Sequence, residues 1–213
     1  MAIIEINNRY SNLAIDACCL SCGGARDYSE PQTGEVCLDL GSGRGTDVLA
    51  MAQRVKKDGF AYGIDIADGM LAKADRTAKK MGIDNVRFIK SELESIPLKS
   101  GSVDLIISNC TINHAKNKQM VWDEIYRLLK NDGRFVVSDI YSLEEVPGEY
   151  KNNPQAIAEC WAGAVTRSEY IRQIKSAGFS QFDILEESEP YSKGAIKVSS
   201  ITIRAFKKKQ CCK

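Results

Sequence analysis

The sequence has one histidine among 213 residues, no excess of either charge, and no apolar run near the roughly 20 residues of a membrane-spanning helix. Each absence removes a class of function. The Cys19–Cys22 pair has zinc-like spacing, but no second matching cysteine pair or histidine completes a four-ligand site. With 29 basic and 28 acidic residues the net charge is +1, so no field favours a polyanion and nucleic acid is not expected as a partner. The Lys207-Lys208-Lys209 run reads as a solvated end. The start, Met1 to Tyr10, lacks the basic-then-apolar order of a signal peptide, so a cytoplasmic location away from membranes is expected. Internal repeats and low-complexity segments are also missing. A composition of 44% hydrophobic and 27% charged residues suits a single globular domain of this length.

Cysteine is the residue in unusual supply, at eight. In a reducing compartment these should be thiols, serving as ligands, redox groups or core fillers rather than as disulfides. Cys37 alternates into an apolar run between Val36 and Leu38 and reads as core. Cys18, Cys19 and Cys22 cluster ahead of the main pattern, and Cys211-Cys212 stand in the tail.

From about residue 35, short apolar runs alternate with longer helical periodicities. Val36 to Leu40, Phe60 to Asp65, Val86 to Lys90, Val103 to Ser108 and Arg134 to Ile140 read as strands. Thr46 to Val55, Asp68 to Met81 (with Asp68 as N-cap candidate) and Lys118 to Lys130 read as helices, the last stopping before an Asp132-Gly133 turn. This alternation implies parallel strands joined by crossover helices, hence an open α/β sheet with helices on both faces. Beyond residue 141 the rhythm changes: a short helix is expected around Cys160, a longer one from Arg167 to Ala177, then an antiparallel pair, Phe182 to Glu187 and Ser199 to Phe206. The chain divides into a Cys-rich segment at 1–30, a domain at 31–207 and a Cys-containing tail at 208–213.

The sharpest motif is Asp39-Leu40-Gly41-Ser42-Gly43-Arg44-Gly45, between an apolar strand and a helix, where a ligand of an open α/β sheet binds. Its Gly-x-Gly-x-Gly spacing differs from the dinucleotide pattern, and Asp39 would repel a pyrophosphate while suiting an ammonium. A second carboxylate, Asp65, ends the next strand, where it can bond a ribose diol. The motif resembles that of class I S-adenosylmethionine-dependent methyltransferases, together with Gly63-Ile64-Asp65-Ile66, Met70 and Ser91-Glu92-Leu93-Glu94. The resemblance implies a Rossmann-like fold: a mostly parallel seven-stranded sheet with an antiparallel C-terminal strand. It implies S-adenosylmethionine as cofactor, with Asp39, Gly41, Gly43, Asp65, Ile66, Met70, Glu92, Leu93 and Asn109 around it.

Two further motifs narrow the substrate. Ser108-Asn109-Cys110-Thr111-Ile112-Asn113 ends the fourth strand, and Glu159-Cys160-Trp161-Ala162-Gly163-Ala164 follows later. With the Cys-rich patch they resemble the arsenite methyltransferase family, over roughly Cys18 to Phe179. That resemblance makes Cys110 and Cys160 the principal ligands of trivalent arsenic, a soft centre that prefers thiolate sulfur. Cys22 is implied as the third, since it lies 17 residues before Asp39 and precedes a glycine; Cys18 or Cys19 could instead supply the ligand or reducing equivalents. The arsenic lone pair would displace the methyl in line, so binding and orientation carry most of the work. Each transfer oxidises arsenic, which implies a thiol reductant of thioredoxin or glutathione type. His114 stands where the family usually has Leu and is given a bland surface role. Two alternatives are a small-molecule methyltransferase of quinone or other C, O or N type with incidental cysteines, and a thiol-based metalloid-binding protein.

Overall fold

The computed structural model describes residues 2–13, 23–151, 153–158 and 160–208. Val36–Leu40 (β1), Phe60–Asp65 (β2), Val86–Lys90 (β3), Val103–Asn109 (β4) and Leu129–Ser142 (β5) are joined through helices Thr46–Val55 (α3), Asp68–Met81 (α4) and Lys118–Leu128 (α5). Short helices Ala2–Leu13 (α1) and Ala25–Ser29 (α2) precede them. Gly148–Lys151 (α6), Pro154–Ala158 (α7) and Arg167–Ser176 (α8) follow, before strands Phe182–Glu187 (β6), Tyr191–Lys193 (β7) and Ile196–Phe206 (β8). The main path of the sheet runs β3-β2-β1-β4-β5-β8-β6, with β7 added on β8. The strands from β3 to β5 pair parallel, and β8 runs antiparallel to both neighbours. This is the expected fold class, a doubly wound sheet with one reversed strand near its C-terminal edge, with eight strands rather than seven because the short β7 pairs with β8 beside the main path.

The elements form where their side chains can be buried. β1 lies at the centre, and Cys37, Leu38 and Leu40 are wholly buried, as a strand covered on both faces requires. Val48, Leu49, Met51, Ala52 and Val55 make the inward stripe of α3. One core layer gathers Trp122, Ile125, Phe135, Tyr170 and Phe179 with Leu38 and Ile106. The other sets Cys37, Leu105 and Val136 against α3, where burial pushes the Cys37 thiol up to about 12. Asn117 caps α5 by accepting from Met120 N–H, and Thr166 caps α8 by accepting from Glu169 N–H. No helix among the described residues is long and apolar enough to cross a membrane.

Several local expectations change. The N-cap of α4 is Ala67, whose N–H donates to Asp65 Oδ1 at 2.8 Å; Asp68 instead takes Lys90 Nζ at 2.7 Å. The Asp132-Gly133 turn is absorbed into β5, where the register against β4 shifts and Asp132 takes φ 63°. Lys207 is not a solvated end: its ammonium donates to Tyr126 O and Leu129 O at 2.7 and 2.9 Å and sits over the Tyr126 ring. Cys18, Cys19, Cys22, Cys211 and Cys212 lie outside the described residues.

The register also fixes the site. Asp39 pairs with Gly63 on one side and Ile107 on the other, so β1, β2 and β4 end level with one another. Chain order reverses across β1, and the crevice at such a switch is where open α/β sheets take ligands.

Candidate cofactor and acceptor site

A cavity of about 890 Å³ opens at these strand ends. Its first wall is the glycine loop, where Gly41 and Ser42 both donate N–H to Ile64 O. Gly41 has φ 71°, and a Cβ there would fall 2.2 Å from Thr111 Oγ1, so the turn and the close approach both demand glycine. Gly43 N–H donates to Asp65 Oδ2 at 2.7 Å, which ties the loop to the end of β2. Asp39 is 4% exposed, and burial together with neighbouring Asp47 and Asp65 lifts its carboxyl well above the usual range. Burial raises Asp65 as well, opposed by N–H bonds from Ala67, Gly43 and Ile66. Ser42 Oγ is buried with no partner among the described residues.

The opposite wall carries sulfur. Cys110 follows β4 with φ 52°, held by its N–H to Ser138 O at 2.8 Å. Cys160 sits between α7 and a single turn at Trp161–Gly163, with φ 74° and ψ −41°. That conformation is close to the strained γ-turn region, and a non-glycine residue there costs about 1–3 kcal/mol. Both cysteines carry thiols, not a disulfide. Cys160 Sγ lies 3.0 Å from Cys110 O although fifty residues separate them. Gly163 makes the approach possible: a Cβ on it would fall 1.9 Å from Asn113 O. Asn113 in turn is buried, donating Nδ2–H to Asp139 Oδ1 at 2.9 Å and to Ile140 O at 2.8 Å.

His114 departs from its expected surface role. It lines the cavity, and its ring bridges three segments. Nδ1 faces Ile157 O at 2.9 Å; since a carbonyl only accepts, Nδ1 carries the proton and Nε2 keeps its lone pair. Nε2 is 2.9 Å from Cys160 Sγ and 3.0 Å from Tyr10 Oη. Burial, with Lys118, Arg9 and Lys193 nearby, holds the imidazole neutral by pushing its pKa down to about 4, against the Ile157 bond.

Asp39, Gly41, Gly43, Asp65, Ile66, Met70, Glu92, Leu93, Asn109, Cys110 and Cys160 all line this one cavity. Cys22 lies outside the described residues, and among the described ones no three His, Cys, Asp or Glu side chains converge as a metal site. The sequence reading missed α1, which contributes Ile3, Ile6, Arg9, Tyr10 and Leu13 to the wall. Its apolar spacing at 3, 6, 10 and 13 is a helical signal that a search of the first residues could have found. Asp47 was also missed; its Oδ2 takes Asn109 Nδ2–H at 3.1 Å.

Comparison with known proteins agrees with this architecture. An arsenic(III) S-adenosylmethionine methyltransferase from Chlamydomonas reinhardtii superposes with a TM-score of 0.77 at 29% identity, covering 93% of this chain and 74% of its own. An arsenite methyltransferase of Halobacterium salinarum is 35% identical over 80% of this chain and 44% of its own length. The human arsenite methyltransferase is 35% identical over 67% of this chain and 40% of its own. The chain thus spans about half the length of the curated relatives it matches, and the sequence resemblance to that family holds across them. Residues 31–189 match the family model described as a methyltransferase domain, and the chain belongs to that methyltransferase family.

Proposed function

We propose that the chain transfers the methyl group of S-adenosylmethionine to trivalent arsenic held by the thiolates of Cys110 and Cys160. The observation that carries this reading is the meeting of those two residues, from separate motifs, on one wall of the cavity whose other wall is the glycine loop. Names borne by similar proteins point the same way.

The residues of the first wall fit the cofactor. Asp39, Asp47 and Asp65 crowd three carboxyl groups into one space where burial disfavours their charged forms, and an ammonium and a sulfonium would favour those forms again. Asp39 is assigned to the methionine ammonium, Asp65 to the ribose hydroxyls, and Ile66, Met70, Glu92 and Leu93 to the adenine. Gly41, Gly43 and Asn109 line the path between. When bound, S-adenosylmethionine supplies an electrophilic methyl group.

Arsenic brings its own lone pair, so nothing has to remove a proton from the nucleophile. The work of the protein is to hold and aim: two soft sulfur donors fix the arsenic, and a third, Cys22, completes a pyramid. Because each transfer oxidises arsenic, a thioredoxin- or glutathione-type thiol returns it to the trivalent state, consistent with a reducing, cytoplasmic setting.

The test is to incubate the reduced protein with methyl-labelled S-adenosylmethionine and arsenite and to follow methylated arsenic. Labelled product that disappears in Cys110→Ala and in Cys160→Ala is the expected result. Tight arsenite binding without transfer would instead favour a metalloid-binding protein. Methylation of a carbon, oxygen or nitrogen acceptor with none of arsenic would make the cysteines incidental.

A further inference from the structure

Arsenite enters solution chemistry as a hydroxide, and a protein thiol displaces that hydroxide only if its proton has somewhere to go. The cavity wall contains an acceptor in contact with one of the two sulfurs. His114 Nε2 is 2.9 Å from Cys160 Sγ, and the bond from Nδ1–H to Ile157 O leaves that nitrogen as the acceptor. Resting on the arsenic reading above, we infer that His114 is the proton carrier for arsenic capture: it takes the thiol proton of Cys160 and gives it to the departing oxygen.

The step balances without a change of oxidation state. The S–H bond of Cys160 breaks, an As–S bond forms and an As–O bond breaks. The proton passes through Nε2 to the leaving hydroxide, which departs as water. A thiol-conjugated arsenic follows the same course, with a thiol as leaving molecule. No imidazolium has to persist.

Two other contacts fit the role. Cys160 Sγ also lies 3.0 Å from Cys110 O, so its proton has a resting partner as well as an acceptor. The Tyr10 hydroxyl reaches both His114 Nε2, at 3.0 Å, and Cys160, and can donate to whichever is electron-rich at the moment. When the proton moves to Nε2, that O–H can turn to the sulfur. The strained backbone at Cys160 is a further sign that the sulfur is held for use rather than for packing. The imidazole contact falls on Cys160, so it is capture at that sulfur that His114 assists.

The test is stopped-flow mixing of the full chain with sodium arsenite, without S-adenosylmethionine, read by the fluorescence of Trp161 beside Cys160 and by mass spectrometry of the quenched adduct. His114→Ala should slow capture by about 100-fold, the lower range for loss of a general base, and added imidazole should restore a good part of it. His114→Gln, whose amide can keep both contacts but cannot carry a proton, should be as slow and should not respond to imidazole. Capture at the wild-type rate in either variant overturns the inference, and so does slow capture in folded His114→Ala that imidazole fails to improve. The underlying reading fails separately. His114-dependent capture with no methyl transfer refutes the transferase but keeps the proton carrier, and methyl transfer with His114-independent capture does the reverse. A wild-type chain that captures no arsenite refutes both.

Discussion

The two walls of the cavity are built differently. The cofactor wall comes from consecutive units of one sheet: the end of β1, the glycine loop, and Asp65 at the end of β2, tied together by backbone N–H groups. It is acidic and rests on β1, whose Cys37, Leu38 and Leu40 are fully buried. The acceptor wall is assembled from three stretches far apart in sequence, with Tyr10, His114 and Cys160 in mutual contact. It is fringed by Arg9, Lys118 and Lys193, and two of its residues hold positive φ without being glycine. A fold that fixes its cofactor with the sheet can vary its acceptor through these segments, since the buried residues around Cys160, Trp161, Ala162 and Ala164 form a small cluster of their own.

If the walls are separable, damage to one should leave the other working, and this gives the largest expected effect. Loss of groups around a ligand site commonly costs 10–100-fold, so removal of a ligand itself in Cys160→Ala should lower arsenite affinity by at least about 100-fold. The affinity for S-adenosylmethionine should be unchanged. Asp65→Ala should do the opposite: losing charge-assisted bonds worth about 1.5–3 kcal/mol weakens the cofactor by about 10–100-fold and spares arsenite. Calorimetric titration of each variant with each ligand measures all four values. Coupled losses in both variants would make the cavity one cooperative unit and break the comparison.

The same asymmetry decided what could be read from sequence. The cofactor wall was legible because its parts are local: an apolar run, a glycine loop and an acid on the next strand all signal themselves within a few residues. Cys110 and Cys160 were legible only through their motifs, since no periodicity says that a loop after α7 returns to the end of β4. His114 was misread because its environment is made by Tyr10 and Ile157, and neither is near it in sequence. Lys207 was misread for a similar reason; three basic residues in a row look solvated until the carbonyls of Tyr126 and Leu129 are placed beneath one of them. Asp132-Gly133 keeps its turn-like backbone, with Asp132 at φ 63°, but as an irregularity inside β5 next to the residues that pair with β4 and β8.

A smaller effect should follow from the two glycines that set the walls. At Gly41, alanine would combine a φ of 71° with a contact 2.2 Å from Thr111, costing about 1–3 kcal/mol for the backbone and more for the clash. Thermal unfolding should therefore shift well downward, with cofactor affinity falling in parallel. At Gly163 the clash is with Asn113 O, which belongs to the loop after Cys110. Gly163→Ala should push the Cys160 loop outward, lowering arsenite affinity by about 10-fold for the roughly 1.4 kcal/mol of lost pairing. Its stability should change less than that of Gly41→Ala, because the moving part is a loop and not the centre of the sheet. The reverse order of stabilities would place the strain on the acceptor wall.

The last effect is one of pH dependence and concerns Asp139, which supports the acceptor wall from below through Asn113. Burial raises its carboxyl to about 7 from an ordinary 3.8, against hydrogen bonds from Ile140, Ile112 and Asn113 and the attraction of Lys118. A raised acid binds its proton more tightly in the native state than in the unfolded chain. Between about pH 4 and 7 the native state therefore holds more protons, and stability falls as pH rises through that window, by at most about 1.4 kcal/mol per pH unit for a single group. Asp139→Asn keeps an acceptor for Asn113 and cannot ionise, so denaturant unfolding should show a flatter pH dependence than in the wild type. Asp39 and Asp65 contribute slopes of the same sign, but theirs belong to the cofactor wall. Saturating S-adenosylmethionine, whose ammonium and ribose favour the charged carboxylates, should reduce their part and leave the difference between wild type and Asp139→Asn intact. If the cofactor abolished that difference as well, the carboxylates of the two walls would have to be coupled through the sheet between them.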